Sequence, residues 1–236
     1  MILIILAAGK GTRLPIKFKS KPKCMVEIKK KTLLEHNSLF FKNFKKKFAV
    51  VGYKHNKLNY ILKKMKIKKI INKNYNNTNM VYSLFCAKNK ITEDVVICYG
   101  DIIFDHKIFN LLKPKKNILP INKNWLKTWK GRMSLKKVYL DAENIILKNS
   151  KIVEIGGKIK KNNLPKYQYM GLIKLVKKDY FNCYKFFKKQ KKDIDFTTFL
   201  NLCVKNKIIK LNSSIYNSFW YEVDSRRDVY FAMNNL

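Results

Sequence analysis

A chain of 236 residues with 47% hydrophobic and 13% aromatic residues is long enough for one sizeable core and is typical of a globular protein, not a disordered one. The formal net charge is +37, but only four of the 52 basic residues are arginine and lysine occurs along the whole chain, which favours a solvated lysine-rich surface over a clustered nucleic-acid-binding patch. No apolar run reaches the ~20 residues that cross a bilayer, and no basic segment precedes the apolar start, so we expect a cytoplasmic protein without membrane insertion.

The chain begins with a predicted buried strand and a glycine turn. Residues 2–6 are an unbroken run of Ile and Leu, which is typical of a strand buried on both faces of a parallel sheet. Gly9 and Gly11 follow, and glycine can adopt the positive φ that lets backbone N–H groups face a phosphate. The spacing matches neither a dinucleotide fingerprint nor a P-loop. A nucleoside triphosphate site and an ordinary tight turn are therefore both open.

Strands and helices alternate over the next hundred residues. Thr32 and Glu35 form a capping-box pattern that begins an amphipathic helix ending near residue 44, and residues 48–52 predict the second strand. A short helix near 55–65, a strand near 67–71 and a helix beginning near 79 follow. This alternation predicts an α/β fold with a three-layer, Rossmann-like, mostly parallel sheet.

Polar residues stand at the ends of these elements. Asp101 follows a predicted buried strand, and ligands of such sheets bind outside the carboxyl ends of the strands. We therefore expect Asp101 in the same crevice as Gly9, where a carboxylate could bind Mg²⁺. The alternative is helix capping, which Asp105 could also provide. Thr78 or Asn79 could likewise cap the next helix without any ligand.

The second half of the chain is predicted to continue the same single domain, with a small β-rich lid at about residues 122–175. The first part of this stretch, residues 123–143, departs from regular alternation. Residues 145–147 and 152–155 predict a hairpin ended by a Gly-Gly pair, and residues 167–176 predict a further strand. Helices are predicted near 177–190 and 195–206.

The final helix is predicted from a second capping box. Ser225 and Asp228 have the required spacing, which leaves Asp224 just outside the helix and free to face the crevice. Glu222 lies two residues earlier in a strand and shares the face of Asp224.

Three separated motifs resemble those of nucleotidyltransferases that make activated sugars and alcohols. They are residues 6–26, with Gly-Lys-Gly-Thr-Arg followed by Pro-Lys; residues 78–101; and residues 219–228, with Glu-Val-Asp. The block at 78–84 resembles the narrower branch of cytidylyltransferases of the phosphocholine, 2-aminoethylphosphonate and phosphoglutamine type. Residues 15–18 depart from the pattern, because they replace its common Pro-x-Thr.

The resemblance implies Mg²⁺-dependent transfer of CMP from CTP to a small phosphorylated or phosphonate amine or alcohol, with release of pyrophosphate. It implies catalytic roles for Lys23, Arg13, Asp101 and Asp224, and makes the last two the metal ligands. It assigns the nucleotide site to Leu6, Ala7, Ala8, Gly9, Gly11, Thr12, Arg13, Lys23, Thr78, Asn79 and Gly100. It assigns the acceptor site to Trp129, Arg132, Asp141, Glu143, Tyr169 and Glu222.

The side chains of the lid suggest how an acceptor would be held. Trp129 could cover a cationic headgroup with its π face, and Arg132 could hold a phosphate bidentately. Asp141 and Glu143 could pair with an ammonium group. Ordinary packing and structural ion pairs are the alternatives for these residues.

Two other functions are kept open. A sugar-1-phosphate nucleotidyltransferase that uses UTP or dTTP would retain the same chemistry. A non-catalytic nucleic-acid or polyanion binder would show salt-sensitive binding without turnover. The expected partners are CTP and a small phospho-acceptor, without nucleic acid, and the oligomeric state is left open.

Overall fold

The computed structural model describes residues 1–15, 18–159 and 163–236. Its strands are β1 (Ile2–Ala7), β2 (Glu27–Ile28), β3 (Lys31–Thr32), β4 (Lys46–Val51), β5 (Lys68–Ile71), β6 (Val95–Tyr99), β7 (Ile102–Phe104), β8 (Ile118–Asn122), β9 (Glu143–Lys148), β10 (Lys151–Lys158), β11 (Gln168–Tyr169), β12 (Leu172–Leu175), β13 (Asn212–Tyr216) and β14 (Trp220–Glu222). Its α-helices are α1 (Leu33–His36), α2 (Ser38–Phe41), α3 (Asn59–Lys64), α4 (Met80–Cys86), α5 (Trp125–Arg132), α6 (Leu135–Asp141), α7 (Lys177–Phe187), α8 (Phe196–Lys205) and α9 (Arg226–Asn235). Short 3-10 helices lie at Lys23–Met25, His55–Leu58, Lys88–Lys90 and His106–Leu112.

A mixed sheet forms the centre of the described chain. Its strand order is β5-β4-β1-β6-β12-β8-β13-β10-β9, and β11 pairs with β8 outside this path. The first four strands are parallel, whereas β12 runs antiparallel to both of its neighbours and β8 is parallel to β13. The predicted α/β class with a mostly parallel sheet is confirmed.

The first strand is buried on both faces, as its sequence predicted. Ile2 and Ile4 belong to one hydrophobic cluster, and Leu3 and Ile5 belong to the cluster on the opposite face. All four side chains are inaccessible to solvent. An apolar residue is therefore required at every position of β1, which explains the absence of polar alternation.

The predicted strand of residues 167–176 is divided into β11 and β12. Gly171 stands between them with φ +73°, and a Cβ there would lie 2.7 Å from the ring of Tyr99. The turn separates β11, which pairs with the end of β8, from β12, which pairs with β6 along its length and with β8 at Lys174. The run of apolar and aromatic residues indicated strand, but it did not show the break.

The region around residues 122–175 has three structural parts. The stretch without a predicted element forms helices α5 and α6. The predicted hairpin is β9–β10, but the prediction that the Gly-Gly pair ends it is wrong. Strand β10 continues past the pair, where Gly156 and Gly157 have positive φ and the register with β9 shifts. Strand β12 lies inside the main sheet. The use of this region as a lid stays a prediction.

The two predicted capping boxes are present. Thr32 caps α1 and receives the Glu35 side chain in return, and Ser225 and Asp228 do the same for α9. The unusual spacer at residues 15–18 includes positions 16 and 17, which lie outside the described residues.

No helix in the described part of the chain combines the length and the apolar character needed to span a membrane.

Candidate active site

Strand pairing brings together the two aspartates that were predicted as metal ligands. Asp101 lies between β6 and β7, and Asp224 follows β14. Strands β7 and β14 are antiparallel, and the Val223 N–H donates to the carbonyl of Asp101 at 2.9 Å. The carboxylates therefore meet although their positions in the chain are far apart.

Glu222 completes a group of three carboxylates. One oxygen from each of Asp101, Glu222 and Asp224 lies within 4.8 Å of the others. Oxygen ligands of this kind suit a hard divalent cation such as Mg²⁺. The Oδ1 atom of Asp101 is buried and has no hydrogen-bond partner among the described residues. The donor set and this unpaired oxygen both fit a divalent metal.

The ammonium group of Lys23 lies between these carboxylates. It donates to Asp101 Oδ2 at 2.6 Å and also to Asp224 Oδ1. Burial alone would lower the pKa of Lys23, but the charges of Asp101 and Asp224 outweigh it and raise the pKa above its ordinary value. Arg13 pairs with the other oxygen of Asp224 at 2.9 Å. Burial opposes ionisation of Asp224, yet Lys23 and Arg13 hold its pKa below the usual range.

The glycine turn passes beside Lys23. Gly11 adopts φ +63°, and a Cβ there would lie 3.2 Å from both Lys23 Cβ and Leu14 Cδ1. Both the conformation and the close approach therefore favour glycine at this position. Gly9 has open space around it.

A cavity of about 130 Å³ opens on one side of the carboxylates. Its lining includes these predicted nucleotide-site residues: Leu6, Ala7, Ala8, Gly9, Lys23, Thr78, Asn79 and Gly100. Gly11, Thr12 and Arg13 lie outside that lining. Tyr75 and Ser83 also line it, and neither was predicted.

The predicted nucleotide residues at α4 also have structural roles. Asn79 caps the helix by accepting from the Met80 N–H at 2.7 Å, and its amide donates to the carbonyl of Asp193 at 3.3 Å. Thr78 donates to the carbonyl of Asn74 at 2.8 Å. Capping and cavity lining are therefore compatible at this position.

A larger cavity of about 570 Å³ opens on the other side. All six predicted acceptor-site residues line it: Trp129, Arg132, Asp141, Glu143, Tyr169 and Glu222. Residues that sequence reasoning missed line it as well: Tyr99, Gln168, Asp195, Thr197 and Trp220. A helix-start signal at Asp195 was visible in the sequence, but nothing in it indicated proximity to the acceptor residues.

Glu143 and the start of α8 form one polar group of this cavity. The Thr197 hydroxyl donates to Glu143 Oε1 at 2.7 Å, and Asp195 caps the helix through the Thr198 N–H at 2.8 Å. Burial raises the pKa of Glu143, and the Thr197 hydrogen bond partly offsets this.

Arg132 is buried and already engaged. Its terminal nitrogens contact the Glu222 carbonyl, the Glu222 carboxylate at 3.4 Å and Asp228 Oδ1 at 3.4 Å. Its guanidinium also lies 5.1 Å from the ring centre of Trp129. Only Nε lacks a partner among the described residues. Burial and the charge of Asp224 raise the pKa of Glu222, and Arg132 partly counters them.

A parallel half-sheet, a glycine turn and three carboxylates between two cavities are the arrangement expected of a nucleotidyltransferase, and the comparisons with known proteins point to the same class. The protein family described as "MobA-like NTP transferase domain" matches residues 3–115 of this chain. The CTP:phosphoglutamine cytidylyltransferase of Campylobacter jejuni is 36% identical over 185 residues, which cover 74% of this chain and 72% of that protein. The chain belongs to this family of nucleotidyltransferases, as its motifs predicted.

Two further comparisons extend the likeness. The choline-phosphate cytidylyltransferase of Streptococcus pneumoniae is 31% identical over 112 residues, which cover 47% of this chain and 49% of that protein. The solved structure of the CTP:phosphocholine cytidylyltransferase from Streptococcus pneumoniae superposes with a TM-score of 0.79 over 99% of this chain and 98% of its own, at 20% identity. That structure shows the shared fold.

Proposed function

We propose that this protein is a cytidylyltransferase that joins CMP from CTP to a small phosphorylated or phosphonate acceptor and releases pyrophosphate. One observation carries the proposal: Asp101, Glu222 and Asp224 converge beside Lys23 and between two cavities. Two cavities on either side of a charged centre suit a reaction between two bound substrates. The choice of CTP is supported by the named substrates of the two relatives.

Asp101 and Asp224 would hold Mg²⁺, with Glu222 beside them. A divalent ion bound there would neutralise charge on the phosphoryl oxygens and help to orient both substrates. The fit rests on the three oxygen donors and on the unpaired Asp101 Oδ1.

The chain's own residues would position the reactants. The ammonium of Lys23 offsets charge on the α-phosphate, and the turn at Gly9, Gly11 and Thr12 holds the triphosphate with Arg13. An oxygen of the acceptor attacks the α-phosphorus, and the bond to the α–β bridging oxygen breaks. Positioning and charge stabilisation serve this transfer without a protein nucleophile.

The smaller cavity would take the nucleoside. Leu6, Ala7, Ala8 and Gly100 form its wall at the ends of β1 and β6, while Thr78 and Asn79 border it at the start of α4. A Cβ on Gly100 would lie 3.0 Å from the carbonyl oxygen of Leu6, so glycine keeps the wall close to the strand end.

The larger cavity would take the acceptor under a lid formed from the region of residues 122–175. Trp129, Tyr169 and Trp220 supply aromatic walls, and Glu143 and Asp141 supply carboxyl groups that can pair with an ammonium group or accept from an amide N–H. Arg132 acts as a positioning residue, because its contacts hold Glu222 and the start of α9 in place.

A pyrophosphate-release screen tests the proposal. It crosses four nucleoside triphosphates with phosphocholine, 2-aminoethylphosphonate, phosphoglutamine and a sugar 1-phosphate, with and without Mg²⁺. We expect turnover with CTP and one of the amine or amide acceptors, and a loss of at least ~1,000-fold in Asp101→Asn with an unchanged circular dichroism spectrum. Preferred turnover of UTP or dTTP with the sugar phosphate would instead establish the alternative substrates, and full activity of Asp101→Asn would reject the site.

A further inference from the structure

All four arginines of the chain line one cavity. It has a volume of about 410 Å³ and borders the larger, acceptor-side cavity, with which it shares Arg13 and Arg132. Arg226 and Arg227, the first two residues of α9, complete the set. Lysine supplies the rest of the 52 basic residues and occurs in every part of the sequence.

The choice of arginine at these four positions has a chemical meaning. Lysine and arginine carry the same charge, but only arginine presents a planar fork of N–H donors that fits phosphate oxygens bidentately. A surface selected only for positive charge would contain lysine here, as it does elsewhere on this chain. The gathering of all arginines around one space therefore indicates a phosphate-bearing ligand.

Part of the charge of the cavity is uncompensated. Arg13 pairs with Asp224 and Arg132 with Glu222 and Asp228, whereas Arg226, Arg227 and Lys137 have no carboxylate partner among the described residues. Asp228 is already used, because one of its oxygens accepts from the Ser225 N–H at 2.7 Å and from the Asp224 N–H at 3.0 Å, and the other lies 3.4 Å from Arg132.

Besides Arg132, Arg226 and Arg13 also have defined contacts. Arg226 donates to the Tyr230 hydroxyl at 3.2 Å and lies 5.4 Å from the centre of that ring. Arg13 reaches Asp224 at 2.9 Å, and so connects the cavity with the carboxylate group.

The cavity lies at the far end of the glycine turn from the nucleoside cavity. Ala8 and Gly9 line the nucleoside cavity, whereas Arg13, Leu14 and Pro15 line the arginine cavity, and the two cavities share no lining residue. A triphosphate extended along the turn from the nucleoside cavity would bring its β- and γ-phosphates toward Arg13.

We propose that Arg13, Arg226 and Arg227, with Arg132 behind them, form a subsite for the leaving pyrophosphate; this inference rests on the proposed nucleotidyl transfer. As the acceptor oxygen bonds to the α-phosphorus, the bond from that phosphorus to the α–β bridging oxygen breaks. The bridging oxygen keeps the electron pair and leaves as part of pyrophosphate. The two arginines of α9 then hold the terminal phosphate of the departing group.

Pyrophosphate binding and kinetics test the subsite. Inorganic pyrophosphate with Mg²⁺ is titrated calorimetrically into the wild type, Arg226→Ala/Arg227→Ala, Arg226→Lys/Arg227→Lys and Lys136→Ala. Lys136 is the matched control, because it is exposed, lies next to Lys137 and lines none of these cavities. The same proteins are assayed for pyrophosphate inhibition of the forward reaction and for the KM of the acceptor. Circular dichroism verifies the fold of each variant.

We expect the double alanine variant to bind pyrophosphate about tenfold more weakly, the lysine variant to recover only part of that loss, and Lys136→Ala to match the wild type. The acceptor KM should stay within about twofold of the wild type in all of them. Unchanged pyrophosphate binding in the double variant, an equal loss in Lys136→Ala, or a rise confined to the acceptor KM would each overturn the subsite. Weaker pyrophosphate binding in a protein that turns over no acceptor would support the subsite and reject the proposed function instead.

Discussion

At the scale of single residues, the position of the Lys23 ammonium is the most informative feature of the site. It lies between the carboxylates of Asp101 and Asp224, whose oxygens a divalent ion would use as ligands. The ammonium group of Lys23 therefore occupies the place where a divalent cation would bind. The nucleotide phosphates offer Lys23 an alternative partner, so we expect metal binding to be tighter when the nucleotide is present.

Replacing this lysine should expose the competition. In Lys23→Met, Mn²⁺ should bind more tightly without nucleotide than it does in the wild type, because no ammonium competes for the carboxylates, while turnover falls by at least ~100-fold. Calorimetry or electron paramagnetic resonance with Mn²⁺ measures the affinity. Lys21→Met is the matched control, since Lys21 pairs with exposed Glu27 at 3.0 Å. Equal Mn²⁺ affinities in all three proteins would show that Lys23 does not compete.

Glu143 gives a pH-dependent prediction. Its folded-state pKa is raised by burial, so the native state retains its proton more readily than the unfolded chain does. This contribution to the free energy of unfolding is complete below the unfolded pKa of about 4.3 and is lost as the pH rises through the folded pKa. Glu143→Gln should therefore lose less stability than the wild type on going from acid to neutral pH.

Urea unfolding at a series of pH values measures this difference. Glu27→Gln, at an exposed position, should follow the wild type. A Glu143→Gln curve parallel to the wild-type curve would show that Glu143 ionises normally.

At the scale of elements, three glycines differ in backbone φ and in the space available for a Cβ atom. Gly9 has open space and no positive φ, Gly157 has φ +80° with open space, and Gly171 has φ +73° with the Tyr99 ring 2.7 Å from its missing Cβ. The break between β11 and β12 therefore depends on both conformation and space.

The loss in the free energy of unfolding on substitution by alanine should increase in this order. Gly9→Ala should change the free energy of unfolding little, Gly157→Ala should lower it by about 1–2 kcal/mol, and Gly171→Ala should lower it by about 2–5 kcal/mol because overpacking adds to the backbone strain. Chemical denaturation of the three variants tests the order. A loss at Gly171 no larger than at Gly157 would show that Tyr99 moves aside without cost.

At the scale of the whole molecule, the formal charge of +37 acts on any anionic substrate. The lysines are spread along the chain, so they produce a general positive field rather than a specific contact. Such a field increases the rate of encounter with a nucleoside triphosphate and is screened by salt. The arginine cavity is a local feature within that field.

Added salt should therefore change the rate of substrate encounter more than the rate of the chemical step. Between about 50 and 500 mM KCl, kcat/KM for CTP should fall severalfold while kcat changes little, because screening weakens attraction over distances beyond the Debye length. Steady-state kinetics at constant free Mg²⁺ measure both constants. A kcat/KM that does not vary with salt would show that the lysine surface has no part in substrate capture.

The sequence by itself determined the local features of this protein: the fully apolar β1, the turn at Gly11, the capping boxes at Thr32 and Ser225, and the acidic positions at Asp101 and Asp224. Periodicity, capping and turn chemistry act between neighbours, so short segments are enough to reveal them. The resemblance to nucleotidyltransferases came from the same short segments, and the comparisons confirm it.

Only the tertiary structure decided which distant residues meet. The antiparallel pairing of β7 with β14 brings Glu222 into the carboxylate group, and the packing of α8 brings Thr197 to Glu143. The gathering of the arginines depends on the same C-terminal pairing, because α9 follows β14 directly. Contacts of this kind arise from strand order and helix packing across the whole chain, and no local pattern records them.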